Sequence, residues 1–481
     1  MKILLYIPPF QVEGTHVDNI AQVRIGGLTL YERACRSANN ARFDEIIVAG
    51  PKNVNFADDP LVKIPVTRLD YETRVSEIKT KLAELMGDED ACICRVDGMI
   101  GPVAISMRPQ GGDVRIRANG EESGIYFLTG MSVQKAILSD TSLDELSSTS
   151  YETLDAPEKT IYHRILSSED LKIGQNILTR SLRKKLGRDA DGLVAYYINR
   201  PCSLQISKRI ANSPITPNMV TLFGLIVGLA GAVLIAYGGY VGATHENGGN
   251  SWALMAIAVI LWQFSSMVDG VDGELARMRM SPSHRGEWFD TVADDVTNIA
   301  FLFGLGFANA MLHPLPEPVS MPWPAEILDS ALHLLPKASD GITLFDAQGG
   351  FHFPYLIVTS IVCALMTVVV CWFYREFLKL GIASHNHFEW GFEKENKSNK
   401  LDEHRGPVRR ALDMIAGGFA WVAKRDFYTF MFMCLIICGF NRIAYFIMLG
   451  GASCVGIGGI CALTIRAIRN ASKNKKSKKE N

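Results

Sequence analysis

Across its 481 residues the sequence carries almost no net charge: 49 basic and 50 acidic residues leave −1. A chain so balanced lacks the basic surplus of a general nucleic-acid binder, and no nucleic-acid partner is expected. The ten cysteines show no zinc-ligand spacing. Cys363, Cys371, Cys434, Cys438 and Cys461 sit inside apolar runs, and Cys92 and Cys94 fall in a strand-like stretch. That usage excludes a disulfide scaffold and fits a reducing cytosol plus membrane. No signal peptide is expected, because the apolar run after Met1 is too short and Pro8 and Pro9 break it. No repeated, interrupted apolar halves appear, which counts against a transporter.

What is present is unevenly spread. Residues 1–213 read as soluble, and residues 214–470 hold nearly all the long apolar runs. Two or more domains are expected from the length. Lys2–Ile7, Phe43–Gly50 and Ala91–Asp97 read as strands, with helices at Gly27–Ala38 and Val75–Met86 between them. That alternation predicts a parallel α/β sheet. The expected organisation is an α/β domain over 1–155, a linker with an interfacial amphipathic helix over 156–213, an all-α membrane domain over 214–470 and a basic tail over 471–481. The basic run Arg180, Arg183, Lys184, Lys185 and Arg188 reads either as a solvated linker or as a contact for anionic lipid headgroups.

Six spans are expected, near 216–237, 251–268, 291–311, 354–374, 427–441 and 444–465. Lysine and arginine crowd the segment before the first span, the 375–426 loop and the C-terminal tail. The opposite side has Lys337 and Arg442. The positive-inside rule then predicts an integral inner- or plasma-membrane protein with both termini cytoplasmic. The 312–353 loop is rich in proline and is expected to carry a short amphipathic helix near 325–335, with no chemistry assigned to it. His385, His387 and His404 read as solvated loop residues.

Between the second and third spans lies D-x-x-D-G-x-x-A-R-x8-G-x3-D-x3-D. It is filled by Asp269, Asp272, Gly273, Ala276, Arg277, Gly286, Asp290 and Asp294. On helices, residues three or four apart share a face, so each aspartate pair faces one way. If the two segments pack side by side, four carboxylates meet. Carboxylates that close either take up protons or surround a cation. Oxygen ligands alone suit Mg²⁺ or Mn²⁺ rather than zinc. Divalent ions beside Arg277 would receive a diphosphate, and Gly273, Ala276 and Gly286 would let it approach the backbone. Asp295 points about 100° away from Asp294 on a helix and is left out.

This pattern resembles the signature of the CDP-alcohol phosphotransferases, also called CDP-alcohol phosphatidyltransferases. The resemblance implies six transmembrane helices, a homodimer, and displacement of CMP from a CDP-linked donor by an alcohol acceptor. It implies two metal ions on Asp269, Asp272, Asp290 and Asp294, with Asp294 also the base for the acceptor hydroxyl. Gly273, Ala276, Arg277 and Gly286 would lie along the cytidine diphosphate. In Thr216-Pro-Asn-Met-Val-Thr221, Asn218 and Thr221 become cytidine contacts by the same resemblance, or else merely cap a helix. Arg425-Asp426-Phe427 is similar to a motif of family members that use phosphorylated polyols. Arg425 is thus either an acceptor-phosphate ligand or an interfacial anchor. The site is expected to face the cytoplasm, where CDP-linked donors are found.

The first half resembles the sugar-phosphate nucleotidyltransferases at Gly26-Gly-Leu-Thr-Leu30, Glu45–Gly50, Val96-Asp-Gly98 and Ser123–Leu128. Asp97 sits where that family carries a metal-binding acid, and otherwise reads as a strand-end turn residue. The Gly-rich basic loop that should follow the first strand is replaced by Pro8-Pro-Phe-Gln-Val-Glu-Gly14, a poor cradle for a triphosphate. The domain is therefore expected to be a degenerate partner, or else to transfer cytidylyl groups through an altered loop. The whole order is similar to bifunctional enzymes that make CDP-inositol and couple it to inositol phosphate. Alternatives are a lipid headgroup synthase, using CDP-diacylglycerol or a lipid acceptor, and a non-catalytic nucleotide-binding scaffold.

Overall fold

The computed structural model describes residues 1–312, 353–383 and 424–480, apart from 14–16, 53, 55–57, 110, 140–142, 144–145, 147–150, 159, 185, 187–190 and 245–247. The expected helix near 325–335 and His385, His387 and His404 lie outside the described residues. The chain forms two compact units. One comprises Met1–Lys184, Leu204–Ile215 and Gly273–Pro282, and the other Lys185–Ser203, Thr216–Asp272 and Ser283–Asn481.

The first unit is built on a seven-stranded sheet. Strand β1 (Lys2–Tyr6) is an interior strand, in keeping with Ile3, Leu4 and Leu5, which are apolar on both faces and all fully buried. It pairs in parallel with Glu45–Pro51 and with Ala91–Arg95. Helix α1 (Leu30–Asn40) starts where the sequence says it should: Thr29 accepts from the Glu32 backbone and Glu32 reaches back. The sheet is mixed, however, not parallel as predicted. Val114–Ala118 and Glu121–Leu128 form an antiparallel hairpin whose longer strand runs against Ala91–Arg95. Its tight turn is Asn119-Gly120, both at positive φ (55° and 83°), and this dipeptide is the local reason the chain reverses. Glu152–Asp155 joins the sheet beside Val114–Ala118, and helix α2 (Ser168–Ser181) lies in the same unit.

Two arginines of α1 bind the backbone of Gly273–Pro282 in this unit. Arg33, fully buried, donates to Ile25 O at 2.8 Å and Met278 O at 3.0 Å, and Arg36 donates to Arg279 O. Burial, with Arg36 nearby, pulls the Arg33 guanidinium down to about 10. Arg279 in turn donates to Ala211 O, Ser213 O and Ile215 O at 2.9, 2.7 and 2.7 Å. These carbonyls follow a helix end, where cations are favoured.

In the second unit a π-helical turn (Ala195–Asn199) leads into α3 (Arg200–Ile210), whose residues from Leu204 on belong to the first unit. The long helices are α4 (Pro217–Thr244), α5 (Gly248–Met278), α6 (His284–Leu312), α7 (Phe353–Leu380) and α8 (Asn441–Glu480), with the short α9 (Arg425–Ile437) between the last two in sequence. Their core stacks Trp262 on Phe301, ring centroids 3.9 Å apart. Glycine permits the closest crossing: a Cβ at Gly239 would lie 2.3 Å from Ala308 Cα. Among the described residues five helices are long and apolar enough to cross a membrane. At the expected span 427–441 stands a helix of 13 residues, roughly 20 Å long at 1.5 Å each. It stops at Gly439, whose φ of 86° is the left-handed conformation that ends helices.

Candidate active site

α5 delivers Asp269 and Asp272 and α6 delivers Asp290 and Asp294. One carboxylate oxygen each of Asp269, Asp290 and Asp294 lies within 4.8 Å of the others. Asp272 falls outside this trio. Its carboxylate accepts the Thr221 hydroxyl, and it stands near enough to Asp290 for the two charges to repel. Arg425, the first residue of α9, forms an ion pair of 3.0 Å with Asp269 and another with Asp294. Its Nε and one oxygen of Asp290 are buried without a hydrogen-bond partner among the described residues. An all-oxygen donor set with an orphaned buried oxygen fits a hard divalent cation, which would satisfy that oxygen and offset the repulsion.

The other expected residues divide by unit. Thr216 caps α4 through the Met219 N–H at 3.3 Å, so neither Asn218 nor Thr221 serves as that cap. Asn218 stands at Gly286, where a Cβ would come 3.2 Å from its Oδ1. Gly273, Ala276 and Arg277 occupy the last turns of α5, within the first unit. There a Cβ at Gly273 would meet the Arg277 guanidinium at 3.3 Å.

Beside Asp269 and Arg425 opens a cavity of about 260 Å³. Its lining includes Arg200, Lys424 and Arg425 as cations and Asn199, Ser203 and Ser266 as neutral hydrogen-bonding groups. Arg200 is held by Asp191 through two bonds of 2.8 and 3.1 Å. Sequence reasoning missed Asp191, Asn199 and Arg200, because the linker that holds them reads as a generic interfacial helix, and it read Lys424 as an interfacial anchor at a membrane boundary. It also left Asp295 aside, and the Tyr374 hydroxyl donates to that carboxylate at 2.7 Å.

Residues 214–325 match the CDP-alcohol phosphatidyltransferase family. That segment contains the whole aspartate motif and the α4 start. Relatives similar to this chain include proteins named bifunctional IPC transferase and DIPP synthase. The one from Aquifex aeolicus is 32% identical over 155 residues, covering 32% of this chain and 30% of that protein. The one from Thermococcus kodakarensis is 28% identical over 189 residues, covering 39% and 36%. The chain thus matches about a third of the length of these relatives. A solved structure, HddC from Yersinia pseudotuberculosis, is similar over 36% of this chain and 98% of its own, at 12% identity and a TM-score of 0.29, too low to carry an argument.

The first unit holds a second acid of interest. Asp97 is 1% exposed. Arg95 pairs with it at 2.8 Å and Arg164 at 2.9 Å, both on the same oxygen. Burial pushes its carboxyl above the usual range, against the pull of these two guanidiniums.

Proposed function

We propose that this chain is a membrane-embedded CDP-alcohol phosphotransferase, which moves a phospho-alcohol group from a CDP-linked donor to an alcohol acceptor and releases CMP. The observation that carries the reading is the convergence of Asp269, Asp290 and Asp294 with Arg425 beside a polar cavity. Two Mg²⁺ or Mn²⁺ ions on Asp269, Asp272, Asp290 and Asp294 would polarise the phosphorus under attack and neutralise charge on the leaving group. Asn218, Thr221, Gly273, Ala276, Arg277 and Gly286 line the cytidine diphosphate. Asp294 orients the acceptor hydroxyl and takes its proton. The acceptor oxygen bonds to the donor's distal phosphorus as that atom's bond to the bridging oxygen breaks, and CMP leaves with the electron pair.

The acceptor on this reading is a phosphorylated polyol of the inositol phosphate type. Arg425, Arg200 and Lys424 supply cations for a phosphate, and the buried Nε–H of Arg425 has no hydrogen-bond partner among the described residues. Asn199, Ser203 and Ser266 suit hydroxyls. The relatives' names agree, and CDP-inositol is the donor that fits them. The α/β unit is read as non-catalytic, because Asp97 is committed to two arginines and no glycine loop follows β1. Both termini and the site face the cytoplasm, the membrane part has six spans, and the enzyme works as a homodimer.

CMP release by the purified full chain with Mg²⁺ tests the reading. Release with CDP-inositol plus inositol phosphate, and no pyrophosphate from CTP plus inositol phosphate, is expected. Release confined to CDP-diacylglycerol or to a lipid acceptor would replace it with a lipid headgroup synthase. No release from any CDP-alcohol would leave a binding scaffold.

A further inference from the structure

A row of buried polar side chains runs beneath the cavity and is not accounted for by the transfer chemistry. Thr429, fully buried on α9, donates its hydroxyl to Gln263 Oε1 at 2.7 Å. Gln263, 2% exposed on α5, donates its amide to Asn199 Oδ1 at 3.0 Å. Asn199 closes the π-helical turn and is 7% exposed. Uncharged polar groups at this depth are costly unless paired, and these three are paired in series. They join three separate segments: the π-turn, α5 and α9.

One end of the row lines the cavity, and the other reaches it through Arg425. Thr429 sits one turn after Arg425, and its hydroxyl also lies 2.9 Å from the Arg425 carbonyl. Asn199 lines the cavity itself. A further bond braces the same junction, from Ala195 N to the Asp426 carboxylate at 2.7 Å. There Gly192 leaves room for the carboxylate, since a Cβ would lie 2.7 Å from Asp426 Oδ2. α9 packs Phe432 and Ile436 into the apolar core, and the polar row adds a directional bond near its start. A π-turn is a local insertion often found at functional sites, and here it turns Asn199 toward Gln263.

We infer that Asn199, Gln263 and Thr429 are positioning residues that set where Arg425 stands over the cavity, so that acceptor capture depends on them while donor capture does not. This rests on the acceptor role given to Arg425 above. The donor contacts proposed above lie on α4, the end of α5 and the start of α6, and none of them is hydrogen-bonded to the row in the bonds that define it.

The test uses the full-length protein and two readouts. Steady-state CMP release is followed with CDP-inositol and inositol phosphate, and binding of inorganic phosphate is measured by calorimetry. Gln263→Leu and Thr429→Val should raise the acceptor KM about tenfold or more, since small misplacements of a binding group are expensive. The donor KM should stay within about twofold, and Thr429→Ser, which keeps the hydroxyl, should resemble wild type. Phosphate affinity should fall in step with the acceptor KM. Should Gln263→Leu fail to fold, the isosteric Thr429→Val decides alone. Equal shifts in both KM values, or no shift in a variant that melts like wild type, would overturn the inference. If wild type releases no CMP, the transferase reading fails, and the phosphate titration still judges the row. Unchanged phosphate affinity in Thr429→Val would then refute it.

Discussion

Two aspartate sites in this molecule use the same side chains to opposite ends. At Asp97 two guanidiniums converge on a single carboxylate, so the local balance is already positive. In the membrane unit one guanidinium reaches two of three clustered carboxylates, and an oxygen of the third, Asp290, is buried without a partner among the described residues. A cation brought to Asp97 would have to displace an arginine. A cation brought to Asp269, Asp290 and Asp294 would relieve repulsion and satisfy an orphaned oxygen. The lesson is that an acid at a family's metal position is informative only together with the charges around it.

The comparison is broken most directly by removing one acid from each site. Asp290→Ala should lower the rate of CMP release by about a thousandfold or more, the scale set by losing a metal ligand and its charge stabilisation. Folding should be little affected, since the variant removes a repelled carboxylate. Asp97→Asn should do the reverse. Arg95 and Arg164, whose side chains are 20% and 41% exposed, lose their counter-charge, which costs about 1–3 kcal/mol of stability, read by denaturant or thermal melting. Turnover per folded molecule should stay at the wild-type value. A fall in turnover that exceeds the fall in folded fraction would return Asp97 to the chemistry.

Arg425→Ala sharpens the membrane side of the contrast. It should lower kcat/KM for the acceptor by about a hundredfold, and lysine should recover only part, because a point charge cannot copy the planar fork. An unchanged acceptor term would make Arg425 an interfacial anchor. The smallest effect belongs to packing remote from both sites. Gly239→Ala should cost about 1–3 kcal/mol by forcing the helices apart at Ala308 and leave both KM values unchanged.

The aspartate motif was legible because its spacing is local: carboxylates three and four apart on two successive helices must share faces. β1 and α1 were legible for the same reason, through an apolar run and the Thr29–Glu32 box. Other features answer to short signals that longer apolar patterns mask. Asn119-Gly120 reverses a strand within what reads as an alternating α/β half. Gly439 stops a helix inside an apolar run long enough to suggest a span. The cavity was not legible at all. Arg425 meets Asp294 across 131 positions and Thr429 meets Gln263 across 166, separations that no periodicity reports. Gln263 and Thr429 did carry a faint signal, as polar residues within apolar helices.

On the proposed function, the cluster of Asp269, Asp290 and Asp294 holds the divalent cation and Asp97 does not. Mn²⁺ titration of the purified full-length protein, with bound ions counted by electron paramagnetic resonance, separates the two sites. Binding is expected in wild type and in Asp97→Asn, and its loss in Asp290→Ala. Binding that survives Asp290→Ala but disappears in a folded Asp97→Asn variant would move the cation site to Asp97.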